Sequence, residues 1–181
     1  MEKEGKKDSK IGSNIELVLS GYNDIFSYFD SRDYPDKALS VDFIEECRRA
    51  AKDKGNNGLG LILTVPKTKR SSQNEIKIKK RLKDHFQKHF AEKKQEMHKI
   101  KMEGLRWIIL CVTLMITAAL IQTYLLHTLA LNLILAIAGP AGWFWLWEGL
   151  GKIYIDARKE MPLREFYKKM SDSSITFTSF R

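Results

Sequence analysis

The sequence predicts an α+β domain, cytoplasmic and of about three strands, whose long basic helix leads into a two-helix transmembrane hairpin. Three observations lead there. Residues 107–147 contain no Asp, Glu, Lys or Arg and a single histidine, His127. Directly ahead, residues 67–106 hold 14 basic against 5 acidic side chains, a local +9 that equals the formal charge of the whole 181-residue chain. Short alternating segments stand on both sides of the apolar run, as half-buried strands do.

Residues 1–13 are polar and carry no apolar pattern, so they read as a disordered tail. Residues 14–20, NIELVLS, alternate with Ile15, Leu17 and Leu19 on one face and form the first expected strand. The aromatic and Asp-rich stretch that follows, broken by Pro35, reads as a packed loop with room for one helical turn. Ser40 is a suitable N-cap for the helix of residues 41–54, with Asp42, Glu45 and Glu46 early, Lys52 and Lys54 late, and Gly55 at its end. Phe43, Cys47, Ala50 and Ala51 make its apolar face. Residues 58–66 present Leu59, Leu61, Leu63 and Val65 as a second strand. A strand–helix–strand unit of this length favours parallel pairing. The cytoplasmic α/β portion is placed at residues 14–72.

From residue 73 the pattern is helical up to the membrane. Ile78, Leu82, Phe86 and Phe90 recur four apart as a packing stripe. The stalk of residues 73–106 would rise roughly 50 Å at 1.5 Å per residue. A span needs about 20 apolar residues, and the uncharged run divides into 107–126 and 129–147. Past it, in residues 148–181, the helix is expected to continue toward Pro162. A short helix and a returning strand at residues 173–180 would then complete a domain built from both ends of the chain.

Lys93, Lys94, Lys99, Lys101 and Arg106 precede the first span, Lys152, Arg158 and Lys159 follow the second, and the connection between the spans has no Lys or Arg. Positive flanks stay on the cytoplasmic side. The reading is a multi-pass protein of the cell inner membrane with both termini cytoplasmic. Trp107, Trp143, Trp145 and Trp147 are placed in the aromatic belt beside those basic residues, facing anionic lipids.

A pI near 9.5 also suits nucleic acid. However, the basic helix lacks aromatic platforms and any recognisable binding fold, so nucleic acid is not the expected partner. Gly139, Pro140 and Gly142 form the expected hinge or packing point of the second span, against Ala118 and Ala119 of the first. Thr113, Thr117 and Gln122 are the expected contacts within the hairpin or between copies. With no charged residue in either span, an ion-coupled carrier is not expected.

His85 and His89, four apart, and Asp30, Asp33 and Asp36 are the only clusters that resemble metal or acid–base groups. A packed histidine pair and a turn-forming loop account for them, and no metal or cofactor is expected. Residues 24–46 carry seven acids against Arg32 and Lys37, an acidic patch that would attract the basic helix of its own chain or of a neighbour. Cys47 and Cys111 fall in different parts of the chain and imply no disulfide. No phosphate loop, zinc signature or nucleophile motif is present, so no enzyme is expected.

Residues 22–54, YNDIFSYFDSRDYPDKALSVDFIEECRRAAKDK, resemble a segment of small uncharacterised prokaryotic proteins. In layout the chain is similar to small two-span membrane effectors of prokaryotic defence. That architecture implies a soluble part that senses and hairpins that assemble. The expected function is that of an integral membrane protein that self-assembles, responsive to a protein or small-molecule signal. The alternative is an oligomeric channel or membrane-permeabilising protein.

Overall fold

The computed structural model describes residues 14–52, 54, 59–124 and 128–180. The tail at residues 1–13, the glycines at 55 and 58, and the hairpin tip with its histidine at 127 lie outside the described residues. The elements in order are β1 (Asn14–Val18), α1 (Val41–Lys52), β2 (Gly60–Pro66), α2 (Ser72–Tyr124), α3 (Leu129–Gly151), α4 (Ala157–Lys159), α5 (Met161–Asp172) and β3 (Ser174–Phe180). Single 3₁₀ turns follow β1 (Tyr22–Ile25) and β2 (Lys67–Lys69), and a π turn (Lys152–Asp156) joins α3 to α4. The chain is α+β, with one small sheet, one long helix that becomes apolar, and a second apolar helix. It divides into two compact units, residues 1–91 with 164–181, and residues 92–163.

In the first unit the three strands run in the order β1-β2-β3, both pairings parallel. The register puts Ile15, Leu61 and Ile175 in one row, and Leu17, Leu63 and Phe177 in the next but one. Since strand side chains alternate, those rows share a face. Ile15, Leu19, Leu61, Leu63, Val65 and Phe177 are all buried on it. The opposite face is open: Val18 is 74% exposed and the Thr64 and Thr178 hydroxyls bond each other at 2.7 Å. Parallel sheets are usually covered on both faces; among the described residues this one is covered on one.

The helices supply the cover. Ile78, Leu82 and Phe86 of α2 are fully buried at four-residue spacing, which establishes the packing stripe. Phe43, Cys47 and Ala51 of α1 and Phe166 and Met170 of α5 join them, while Ala50 is only half-buried. Phe86 and Phe166 meet edge to face with centroids 6.2 Å apart. His89 stacks on Tyr167 at 5.2 Å and its ring lies 4.2 Å from that of His85, so the histidine pair is packed between helices. Burial of the Cys47 thiol pushes its pKa up to about 12, which makes it an inert core residue.

The loop between β1 and α1 closes through a bridge from Phe26 to Leu39. Asp30 organises its tip: the carboxylate accepts from the Ala38 amide at 2.6 Å and from the Arg32 guanidinium at 2.7 Å. The Arg32 hydrogen bond, followed by the two backbone amides, holds that carboxyl well below the usual range. The helix that continues past α3 ends at Lys159, close to Pro162 as expected, and Pro162 itself sits in the first turn of α5, where its missing amide costs nothing. Phe177 meets Tyr22 edge to face at 5.7 Å, with the Lys79 ammonium 5.7 Å from its centroid.

Replacing Phe177 by Ala should destabilise the sheet-bearing unit by about 3–5 kcal/mol, read as lost amide-exchange protection in residues 60–66. A second expectation concerns His85, whose pKa is pushed down to about 4, first by burial and then by His89, Arg81 and Lys88. The folded state keeps it neutral, whereas the unfolded chain takes up a proton below about 6.5. Its contribution to stability is therefore complete above that pH and is lost as pH falls toward 4. Thermal unfolding followed across that window should show the loss, and His85→Gln should reduce the slope.

Candidate functional site

The second unit holds the lower stalk and both apolar helices. Two helices are long and apolar enough to cross a membrane, and only 11% and 6% of their most apolar windows are buried within the chain. Where α2 and α3 pair, the contact runs through small residues. A Cβ built on Gly104 would lie 2.7 Å from the Gly149 carbonyl oxygen. One built on Gly149 would lie 2.8 Å from the Gly104 carbonyl and 2.8 Å from Ile108 Cγ1. Only glycine lets the two backbones approach this closely.

Farther along, the Cys111 thiol donates to the Gly142 carbonyl at 2.8 Å. Gly142 thus packs on Cys111 and Met115, not on Ala118 and Ala119 as its sequence context suggested. Gly139 has nothing within 4 Å of its Cβ position, and Pro140, inside α3, leaves the Ala136 carbonyl without its usual amide donor. Met97, Gly104 and Cys111 are buried at seven-residue spacing, and so are Gly142 and Gly149. A spacing of seven is the seam of a left-handed helix pair. That repeat of small residues was the available signal for Gly104 and Cys111, which residue type alone did not mark.

Thr113 and Thr117 use their hydroxyls inside their own helix, donating to the carbonyls of Ile109 (2.9 Å) and Thr113 (2.8 Å). Gln122 is exposed, and no hydrogen bond is recorded for its amide among the described residues. At the basic end, the Trp107 and Trp145 rings meet at 6.1 Å, while Trp143 and Trp147 face outward, 64% and 68% exposed. Lys93 is ion-paired. It bonds Glu96 at 2.7 Å and Glu160 at 3.0 Å, and these carboxylates raise its pKa. Lys152 pairs with Glu103 at 3.3 Å. Lys94, Lys99, Lys101 and Arg106 are exposed. A cleft of about 320 Å³, lined by Glu103, Arg106, Trp107 and Leu110, opens at this end.

No protein-family model matches the chain, and neither a curated protein nor a solved structure matches it.

The glycine seam is directly testable. Gly104→Leu or Gly149→Leu should cost about 1–3 kcal/mol by overpacking, measured as hairpin unfolding in a denaturing-detergent titration. Gly139→Leu, placed in open space, should leave that titration unchanged.

Proposed function

We propose that this chain is an integral membrane protein of the cell inner membrane that self-assembles there and responds to a signal through its sheet-bearing unit. One observation carries the reading. The apolar side chains of α3 and the apolar half of α2 lie outward, with Leu129 at 89%, Leu133 at 64%, Ile137 at 65% and Ile116 at 56% exposure. Monomeric soluble proteins rarely expose contiguous apolar patches of more than a few hundred Å². A bilayer satisfies these helices, and two spans accommodate them.

The same reading sets the orientation. Basic residues flank both helices on the stalk side and none stands in the connection, so both termini face the cytoplasm. Arg106, Lys99 and Lys101 then lie at the level of anionic headgroups, each cation adding about 1 kcal/mol of attraction. The cleft at Arg106 and Trp107 suits one headgroup, with Leu110 against an acyl chain. Self-assembly is supported by Gln122, an exposed amide on an apolar helix, where a second copy offers it a hydrogen bond.

Single cysteines at positions 13, 128 and 179, in a background where Cys47 and Cys111 are replaced, should leave only position 128 open to an impermeant external reagent. Chemical cross-linking in native membranes should give a ladder of multimers that Gln122→Leu shortens. Labelling of position 179 from outside would remove the two-span topology, and a monomer at every concentration would remove assembly. Dye release from liposomes by the purified protein would instead favour a pore.

A further inference from the structure

The carboxyl ends of parallel strands are where open α/β sheets bind ligands. In this sheet β1 and β2 end side by side, and the loops that leave them border an open cavity of about 400 Å³ lined by Gly21, Tyr22, Asn23, Tyr34, Lys69 and Asn74. That volume falls in the range of small-molecule sites. The residues come from three places: the turn after β1, the tip of the acidic loop, and the segment from the turn after β2 into α2.

The walls are fixed from behind. The Tyr22 hydroxyl donates to Glu75 at 3.0 Å and accepts from the Ser71 amide at 2.9 Å. Arg70 holds both oxygens of Glu75, at 2.8 and 3.0 Å, and its hydrogen bond keeps that nearly buried carboxyl ionised. Asp24 accepts from the amides of Ser20 and Gly21 at 2.6 and 3.3 Å. Tyr34 is wedged between Tyr22 and Phe26, with centroids 6.2 and 5.3 Å away. Arg70 and Glu75 thus neutralise each other, and Asp24 is engaged by backbone amides.

What faces the cavity is left unspent. Lys69 contributes the one charge among the lining residues, and no carboxylate pairs with it among the described residues. Its ammonium gives one hydrogen bond, to the Ser20 carbonyl at 2.9 Å, and a lysine has three to give. Among the described residues, the side-chain amides of Asn23 and Asn74 and the Tyr34 hydroxyl make no hydrogen bond. A preset cavity with one cation, two free amides and aromatic walls selects for an anion attached to a polar body.

We propose that this cavity binds a small organic anion, one phosphate or carboxylate on a hydroxylated or cyclic body. Lys69 meets the anionic group and Asn23, Asn74 and Tyr34 hydrogen-bond the rest. The proposal stands on the sheet-bearing unit alone and does not depend on how the hairpins assemble.

The test is isothermal titration of the full-length protein in detergent with inorganic phosphate, glucose 6-phosphate and citrate, at constant ionic strength. At least one organic anion should bind once per chain and more tightly than inorganic phosphate. Lys69→Gln should weaken it by about tenfold or more, the effect of losing one charge-assisted hydrogen bond, and Asn74→Ala should weaken it less. Lys67→Gln, in the same basic run but outside the cavity, should bind as the wild type does. Both lysines are exposed, and circular dichroism of each variant checks that the fold is intact. The proposal is overturned if no probe binds, if Lys69→Gln binds normally, or if Lys67→Gln weakens binding as much.

Discussion

The parallel pairing of β3 with β2 is the constraint on which the rest of the molecule depends. It joins residues 60–66 to residues 174–180 in unbroken register, across everything that lies between them in sequence. Closing so long a loop costs conformational entropy that grows only slowly with length. The pairing recovers it through a row of backbone hydrogen bonds and the burial of Phe177, worth roughly 1.5–3 kcal/mol by itself. Because the two strands are neighbours, the chain that leaves β2 must come back. The two apolar helices, α2 and α3, lie on that return path.

The return path explains the character of α2 and α5. Between Ser72 and Ala91, α2 covers the sheet with one face only, so it is amphipathic, with Ile78, Leu82 and Phe86 buried. Beyond Glu92 the covering task is gone. The seam is then carried by Met97, Gly104 and Cys111, small or flexible residues at seven-residue spacing. The helix does not break at the change of task because nothing in the sequence asks it to: there is no proline in the stretch, and Gly104 is used for contact. Ion pairs from Lys93 to Glu160 and from Lys152 to Glu103 hold the pairing where the helices are still polar, and glycine contact holds it where they are not.

What was legible in the sequence was whatever a period expresses. Alternation located all three strands, and four-residue spacing located the buried stripe of α2. Alternation, however, assigns a face and not a neighbour, so the place of β3 beside β2, and of Phe177 beside Tyr22, had to come from the structure. The hairpin interior was the least legible part. In a segment where nearly every residue is apolar, contrast between faces disappears, and the contact is carried by size instead of polarity. Threonines at 113 and 117 drew notice as polar groups, yet an apolar helix satisfies such hydroxyls on its own carbonyls. The glycines and the cysteine, which offer nothing to a hydropathy pattern, make the contact.

The buried polar network behind the carboxyl-end cavity follows from the one-sided sheet. Among the described residues the helices cover a single face and the ends of β1 and β2 are roofed by the loops that leave them, so those loops must be rigid without a core of their own. Tyr22 solves part of this by spanning two environments: its ring packs on Phe177 inside the core and its hydroxyl reaches Glu75 and the Ser71 amide at the rim. Glu75 is nearly buried at the start of α2, and a carboxylate there would be costly without Arg70, whose bidentate hold satisfies both oxygens. Removing any one member leaves a buried polar group unpaired, so the network behaves as a unit. A loop arrangement that could have been closed by apolar contacts is closed instead by directional ones. The consequence is a fixed set of walls around Lys69, whose charge has no place in that network.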